Sequence, residues 1–427
     1  MTVPALIKIF IVFCLILLLN RFRFHLSLSL FIGSLVLGFW MGLGPVRWIQ
    51  NALISIAHWQ TISLLLIVGL ILVMSRLMKE SEHLDRLVVS FTQLSKDDRT
   101  VGSVMAALIG LLPMPGGALF SAPMVETSLC KHPVTDEQKT VINYWFRHIW
   151  EYWWPLYPGV VLAVALLEMD TWKFMTVMAP MTLISVLSGV IFILRPLGSM
   201  KGDKRRTSFR SGLKNFLWEI MPILIVVLVI MALACLTGIM GFLGFHVKIP
   251  GTASILPGLI AATIWICVVN HTPFKRFQSA VLDRNILPMM LLIFAIMIFK
   301  RVMIDSGAVI QVHDELMSYG IPVLLIIMIM PFLAGLITGI AIGFVGTSFP
   351  LIIPMFQTTH AFDYMAYAAL AYTFGYMGMM LSPVHLCLLV TKDYFKAELL
   401  KSYRHLIPPA FMVMLTAMVL FLFIRAL

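Results

Sequence analysis

Long apolar runs separated by short polar stretches dominate the chain. They fall at residues 3–20, 26–44, 60–78, 101–130, 141–167, 171–195, 216–243, 252–270, 286–304, 321–356, 364–391 and 405–426. About 20 apolar residues in a helix span the hydrocarbon core of a bilayer, so the pattern predicts an all-α polytopic membrane protein. Two runs are interrupted. Residues 101–130 carry Pro113, Pro115, Gly116, Gly117 and Pro123, and residues 321–356 carry Gly339, Gly343, Gly346, Pro350 and Pro354. Proline removes an intrahelical hydrogen bond and glycine weakens a helix. Such backbone persists at membrane depth only where protein or a watery cavity satisfies it. Both runs are therefore expected to form re-entrant helical hairpins, and 141–167 and 364–391 to form helices broken at Pro155 and Pro383.

The pattern also repeats. LLIVGLILVMSRLMKES, from Leu64, lines up with LLIFAIMIFKRVMIDS, from Leu291, with one gap. Ser121 and Pro123 match Ser348 and Pro350 at an offset of 227, and Pro155 matches Pro383 at 228. A near-constant offset that carries rare prolines with it predicts a first repeat over 1–195, a basic linker over 196–215 and a second repeat over 216–427. Each repeat would have five crossings plus a hairpin, and an odd number inverts the second repeat relative to the first.

Charge supports that topology. Placing the linker (Lys201, Lys204, Arg205, Arg206, Arg210, Lys214) in the cytoplasm brings the loops near 21–25, 76–100, 131–140, 272–285 and 392–404 to the same side. Together these hold most of the 31 Lys and Arg, as the positive-inside rule requires. Both termini are then expected outside, in a plasma (cytoplasmic) membrane.

Composition narrows the class further. The chain is 60% hydrophobic and only 12% charged, against about 25% charged in an ordinary soluble domain. The net charge of +11 reads as topological; no basic-aromatic surface suggests nucleic acid. The five cysteines are scattered without a CxxC or Cys/His cluster, so neither disulfides nor a metal centre are expected. Asn20-Arg21-Phe22-Arg23 lacks a small-residue cleavage pattern, so the first apolar run is expected to be a retained helix.

Three stretches can carry chemistry. PMPGGALFSAPMVE, residues 113–126, offers backbone groups at Gly116 and Gly117, a helix start that attracts anions and the Ser121 hydroxyl. Its counterpart GIAIGFVGTSFPLIIP, residues 339–354, places Gly346, Thr347 and Ser348 at the expected tip, while Gly335, Gly339 and Gly343 suit helix packing in lipid. NYWFRHIWEYWWPLYPG, residues 143–159, sets Arg147 and Glu151 at i,i+4 beside His148. Charges inside an apolar run are costly and mark function, although a self-neutralising structural pair gives the same pattern. Arg147 offers a bidentate contact to a carboxylate, and Glu151 or His148 can carry a coupling proton. In GYMGMMLSPVHLCLLVTKDYF, residues 375–395, Pro383 frees carbonyls near Leu381 and Ser382 for Na⁺, with His385 just beyond. No HExxH, G-x-S-x-G or Walker A motif occurs, so no enzymatic activity is expected.

At 113–125, 143–159 and 382–395 the chain resembles the integral membrane family catalogued as domain of unknown function 401, and the likeness runs over nearly the whole length. That family is grouped within the ion transporter superfamily, beside gluconate permease-like and divalent anion:sodium symporter families. The resemblance implies inverted repeats, two re-entrant hairpins, homodimers and elevator-type movement. Related families bind carboxylate and Na⁺ at their hairpin tips; here the tips read Phe120-Ser121-Ala122 and Gly346-Thr347-Ser348.

The expectation is a secondary active transporter of a small organic anion such as a carboxylate, with Na⁺ or H⁺ as coupling ion and no other cofactor. Hairpin tips 115–123 and 343–350 and the breaks at Pro155 and Pro383 would enclose the substrate, sliding against a scaffold of the first two helices of each half. An intramembrane metal- or lipid-dependent enzyme using His148 and Glu151, and a non-transporting scaffold, are the alternatives.

Overall fold

The computed structural model describes residues 3–81, 86, 97–114, 117–198, 200, 217–245, 251–284, 286–320, 322–356 and 361–426. Two of the sequence candidates, Pro115 and Gly116, lie outside the described residues, as does nearly all of the 196–215 linker.

Among the described residues every element is helical. The first helices are α1 (Ala5–Arg21), α2 (Leu26–Trp40), α3 (Pro45–Ala57) and α4 (Trp59–Glu80). Next come the pair α5 (Asp98–Ile109) and α6 (Ala118–Leu129), then α7 (Asp136–Arg147) and α8 (Pro158–Leu167), and α9 (Thr171–Gly189) with its extension to Leu197. Beyond the linker follow α10 (Met221–Phe242), α11 (Ile255–Val269), α12 (Phe274–Val281), α13 (Ile286–Asp305) and α14 (Ala308–Tyr319). The pair α15 (Val323–Thr338) and α16 (Ala341–Ile352) leads to α17 (Ala361–Met380), α18 (Leu386–Phe395) and α19 (Leu399–Ala426).

Among the described residues, six helices are long and apolar enough to cross a membrane: α4, α9 with its extension, α10, α11 with the turn before it, α13 and α19. Their outer faces remain apolar. Only 17% of the α10 window is buried within the chain, and Leu228, Ile239, Ile264, Val268, Phe411 and Val419 point outwards. Water would penalise such a surface at about 25 cal/mol per Å², whereas lipid does not. The protein is membrane-embedded.

Local signals set the helix ends around the breaks. Thr135 and Gln138 form a reciprocal capping box that starts α7. Pro158, whose missing N–H costs nothing at a first helical position, opens α8. Glu168 and Lys396, both in the left-handed region, close α8 and α18.

Packing places α2 against α13 and α4 against α11. α5 pairs with α6 and lies on α7, while α15 pairs with α16 and lies on α17. α6 touches α18, α16 touches α8, and α9 lies against α19. The α15–α17 contact is backbone to backbone: a Cβ on Gly335 would collide with the Gly375 carbonyl, and one on Gly378 with the Phe332 carbonyl. Small residues allow this close approach, which maximises dispersion where lipid supplies no hydrophobic drive.

One expectation shifts. The turn between α15 and α16 falls at Gly339–Ile340, with Gly339 at φ +64°, and Gly346, Thr347, Ser348 and Pro350 lie inside α16. Gly339 meets the left-handed requirement that ends α15. Gly346 instead admits Ile296 of α13, whose Cδ1 would stand 2.5 Å from an added Cβ.

Candidate functional site

Each helix pair turns against a helix break. Pro155 lies in the stretch between α7 and α8, which runs from His148 to Tyr157, and Pro383 lies between α17 and α18. Breaking a helix orphans its carbonyls, and in an apolar interior these need partners. Tyrosines supply four of them. The Tyr376 hydroxyl donates to the His148 carbonyl at 2.5 Å and that of Tyr372 to the Glu151 carbonyl at 2.8 Å. In return Tyr144 of α7 donates to the Met380 carbonyl at 3.0 Å, and Tyr403 to the Leu381 carbonyl at 3.0 Å. The carbonyls expected to be free for Na⁺ near the second break thus already accept hydrogen bonds. Ser382 is buried, and its hydroxyl donates to the Leu336 carbonyl at 2.7 Å.

The α5–α6 turn is clamped onto the first break by donors aimed at its own orphan carbonyls. Trp150 Nε1 donates to the Ala107 carbonyl at 2.9 Å, Trp154 Nε1 to the Leu111 carbonyl at 3.1 Å, and the Tyr157 hydroxyl to the Gly110 carbonyl. Arg147 Nη2 donates to the Met114 carbonyl at 2.9 Å. Its guanidinium lies so close to Gly117 that a Cβ there would collide with it, which explains the glycine.

Between the two breaks lies a cavity of about 220 Å³. Arg147, His148, Glu151, His385 and Cys387 line it, with Met114 from one turn and Gly339 to Ile342 from the other. Leu72 of α4 and Met289 and Leu292 of α13 form an apolar wall. Arg147 Nη1 stands 3.6 Å from Glu151 Oε1, and His148 Nε2 stands 3.8 Å from the same oxygen. His148 Nδ1 faces the Tyr144 carbonyl at 2.6 Å; a nitrogen facing a carbonyl at that distance carries the proton, leaving Nε2 as the lone pair. The His148 and His385 rings meet edge-on at 4.9 Å, and Tyr144 borders both.

Three helix N-termini open into this space. The first residues of α8 (Pro158, Gly159), α16 (Ala341, Ile342) and α18 (Leu386, Cys387) line the cavity, and none of the three ends has a side-chain cap. Each N-terminus carries roughly half a positive charge together with unpaired N–H groups. The cavity is therefore electropositive around a single carboxylate, Glu151.

The residues singled out in the sequence divide here. Arg147, His148, Glu151 and His385 meet in the cavity, Gly117 seats Arg147, and Ser382 braces the second break. Ser121, Thr347 and Ser348 do not reach it. Their buried hydroxyls donate to Ala118, Gly343 and Phe344 carbonyls of their own helices, at 3.3, 2.7 and 2.6 Å. Pro123 and Pro350 sit within α6 and α16. Cys387, Tyr157 and Gly339 were not singled out as site residues, although Cys387 stands two positions after His385 at a helix start.

The fold and cavity define a class: a polytopic α-helical membrane protein with a largely apolar cavity, into which a few buried polar groups project, at paired helix breaks. The profile of the family described as "Protein of unknown function (DUF401)" matches residues 2–424, and the chain belongs to that family. No curated protein matches it.

Proposed function

We propose that the protein is a secondary active transporter of a small organic anion such as a carboxylate. The observation that carries this reading is the convergence of three uncapped helix N-termini and the buried Arg147 on one chamber. A carboxylate there gains charge-assisted bonds from N–H groups and a planar guanidinium. A chamber of about 220 Å³ suits a molecule of a few carbon atoms.

The architecture supports alternating access through inverted repeats. Apart from α14, which has no counterpart among the described residues of the first half, the order α1–α9 recurs in α10–α19: two helices, a short helix, a long helix, a pair, a broken helix and a final long helix. Contacts recur as well. α2–α13 answers α11–α4, α6–α18 answers α16–α8, and α9–α19 answers itself, as a two-fold relation between halves demands. The left-handed residues Glu168 and Lys396 occupy matching positions. At 1.5 Å per residue the 12-residue α5, α6 and α16 reach only about 18 Å, short of the ~30 Å hydrocarbon core, which suits re-entrant hairpins. The chamber sits where the paired and broken helices meet α4 and α13, so an elevator-type slide of one group past the other would carry the substrate.

Coupling falls to H⁺ in preference to Na⁺. Four of the carbonyls at the two breaks, those of His148, Glu151, Met380 and Leu381, already accept from tyrosine hydroxyls, whereas Glu151 and His148 stand in the chamber as proton carriers. The 196–215 linker and the main basic loops lie in the cytoplasm on this reading, with both termini outside, in the plasma membrane as a homodimer.

The test is uptake of a panel of radiolabelled carboxylates into proteoliposomes under separately imposed H⁺ and Na⁺ gradients. Gradient-driven accumulation of at least one carboxylate, abolished in Arg147→Ala and uncoupled from pH in Glu151→Gln, is the expected result. Absence of gradient-dependent flux for every compound would refute it.

A further inference from the structure

The chamber also presents a donor set of which proton-coupled anion transport would use only His148. His148, the residue ending α7, faces His385 and Cys387 at the start of α18, and one ligand atom from each lies within 4.8 Å of the others. All three are buried. His148 Nδ1 is anchored on the Tyr144 carbonyl, the outer-shell bond that fixes a metal-binding imidazole and turns its other nitrogen to the ion. His385 Nδ1 is buried and has no hydrogen-bond partner among the described residues. Leaving a buried polar nitrogen unpaired is costly, and a bound cation would remove that cost.

We propose that His148, His385 and Cys387 form a binding site for Cu(I). Two imidazoles and a thiolate suit a soft or borderline d¹⁰ ion. Metal–ligand distances of about 2.0–2.3 Å put donor atoms roughly 3.3–3.7 Å apart, so side-chain adjustments of about 1 Å complete the site. Charge selects the monovalent ion. Cu⁺ and Arg147 balance the Cys387 thiolate and Glu151, whereas Zn²⁺ leaves one positive charge uncompensated in a low-dielectric interior. Softness points the same way, because the thioethers of Met114, Met289 and Met379 line the chamber wall. Binding replaces the S–H bond of Cys387 with S–Cu; the proton leaves to buffer, no electron is transferred, and affinity therefore rises with pH. The ion would tie the first break to the second.

The site requires only the chamber geometry, so its test is separate from any uptake measurement. Purified full-length protein in detergent is titrated with Cu(I), under anaerobic reducing conditions, against a chromogenic Cu(I) chelator. One high-affinity equivalent is expected, weakened at least about tenfold in Cys387→Ser and in His385→Ala. A measurement on the unmodified protein guards against misfolded variants: Cu(I) should protect Cys387 from alkylation, read by peptide mass spectrometry, while the exposed Cys130 keeps reacting. Substoichiometric binding, binding indifferent to Cys387, or unprotected Cys387 overturns the proposal. Tight Zn(II) binding at the same residues without Cu(I) binding overturns the assignment of the ion.

Discussion

The two helix breaks solve the same problem by opposite means. The first, from His148 to Tyr157, is long and aromatic, and Trp150, Trp154, Tyr157 and Arg147 each donate into the α5–α6 turn. The second, from Leu381 to His385, is short. It meets its hairpin through one hydroxyl bond, Ser382 to Leu336, and through the bare backbone of Gly339, where a Cβ would stand 3.0 Å from Ser382 Oγ and 3.1 Å from the His385 nitrogen. What separates them is charge. Arg147 and Glu151 are almost completely buried, and a buried ion is tolerated only where fixed dipoles replace its water. The first break therefore needs a built clamp, while the second, holding no permanent charge of its own, needs only close packing.

Breaking the clamp should have the largest effect. Arg147→Ala strands Glu151 as an uncompensated buried charge and removes one of the two hydrogen bonds that the Met114 carbonyl accepts. Removal of one partner of a buried pair costs roughly 3–5 kcal/mol, so denaturant unfolding in micelles should show a loss of that order. The double variant Arg147→Ala/Glu151→Ala should recover part of it. A double variant no more stable than the single one would show that the pair contributes nothing.

The second unit should respond to volume and not to charge. Gly378→Ala drives a methyl group into the Phe332 carbonyl and forces α17 away from α15. Overpacking of this kind costs about 1–3 kcal/mol. The same substitution at Gly238, where no atom lies within 4 Å of the added Cβ, should be neutral or slightly stabilising through helix propensity. Equal effects at the two glycines would contradict the close backbone packing of α15 on α17.

Sequence reading reached the first break more fully than the second, and the reason is physical. A charge pair at i,i+4 within an apolar run is conspicuous because burial makes it expensive, so Arg147 and Glu151 announce themselves. The interruptions at Pro155 and Pro383 are equally plain, since proline cannot continue a helix. Apolar helices follow directly from the runs. Hydroxyls are another matter. Ser121, Thr347 and Ser348 resemble ligand groups in a string of letters, but inside a helix such side chains bond back to carbonyls three or four residues earlier, and all three do so. The sequence does not locate the α15–α16 turn, because Gly339, Gly343 and Gly346 all permit one; of the three only Gly339 has the left-handed geometry. Cys387 acquires meaning from His148, more than 230 positions away in the chain, and only the packing of α18 on α7 brings them together.

Gly339→Ala tests the second hairpin turn at a smaller scale. Its φ of +64° costs an L-residue about 1–2 kcal/mol, and its Cβ would also press on Ser382 Oγ at 3.0 Å. Ser382→Ala relieves that pressure while removing the bond to Leu336, worth about 1 kcal/mol net. In the double variant the two costs should therefore sum to less than their separate values, because the tightest of the three close contacts that Gly339→Ala creates, to Ser382 Oγ, no longer exists. Strict additivity, measured by unfolding in micelles, would mean that the turn and the break are energetically independent. The equivalent cycle across the first clamp, Trp154→Phe with Gly110→Ala, should couple through a different route: a Cβ on Gly110 collides with the Arg147 carbonyl and so disturbs the segment that positions Trp154. Coupling through a shared contact in one unit and through displaced backbone in the other is what a clamped break and a close-packed break should each produce.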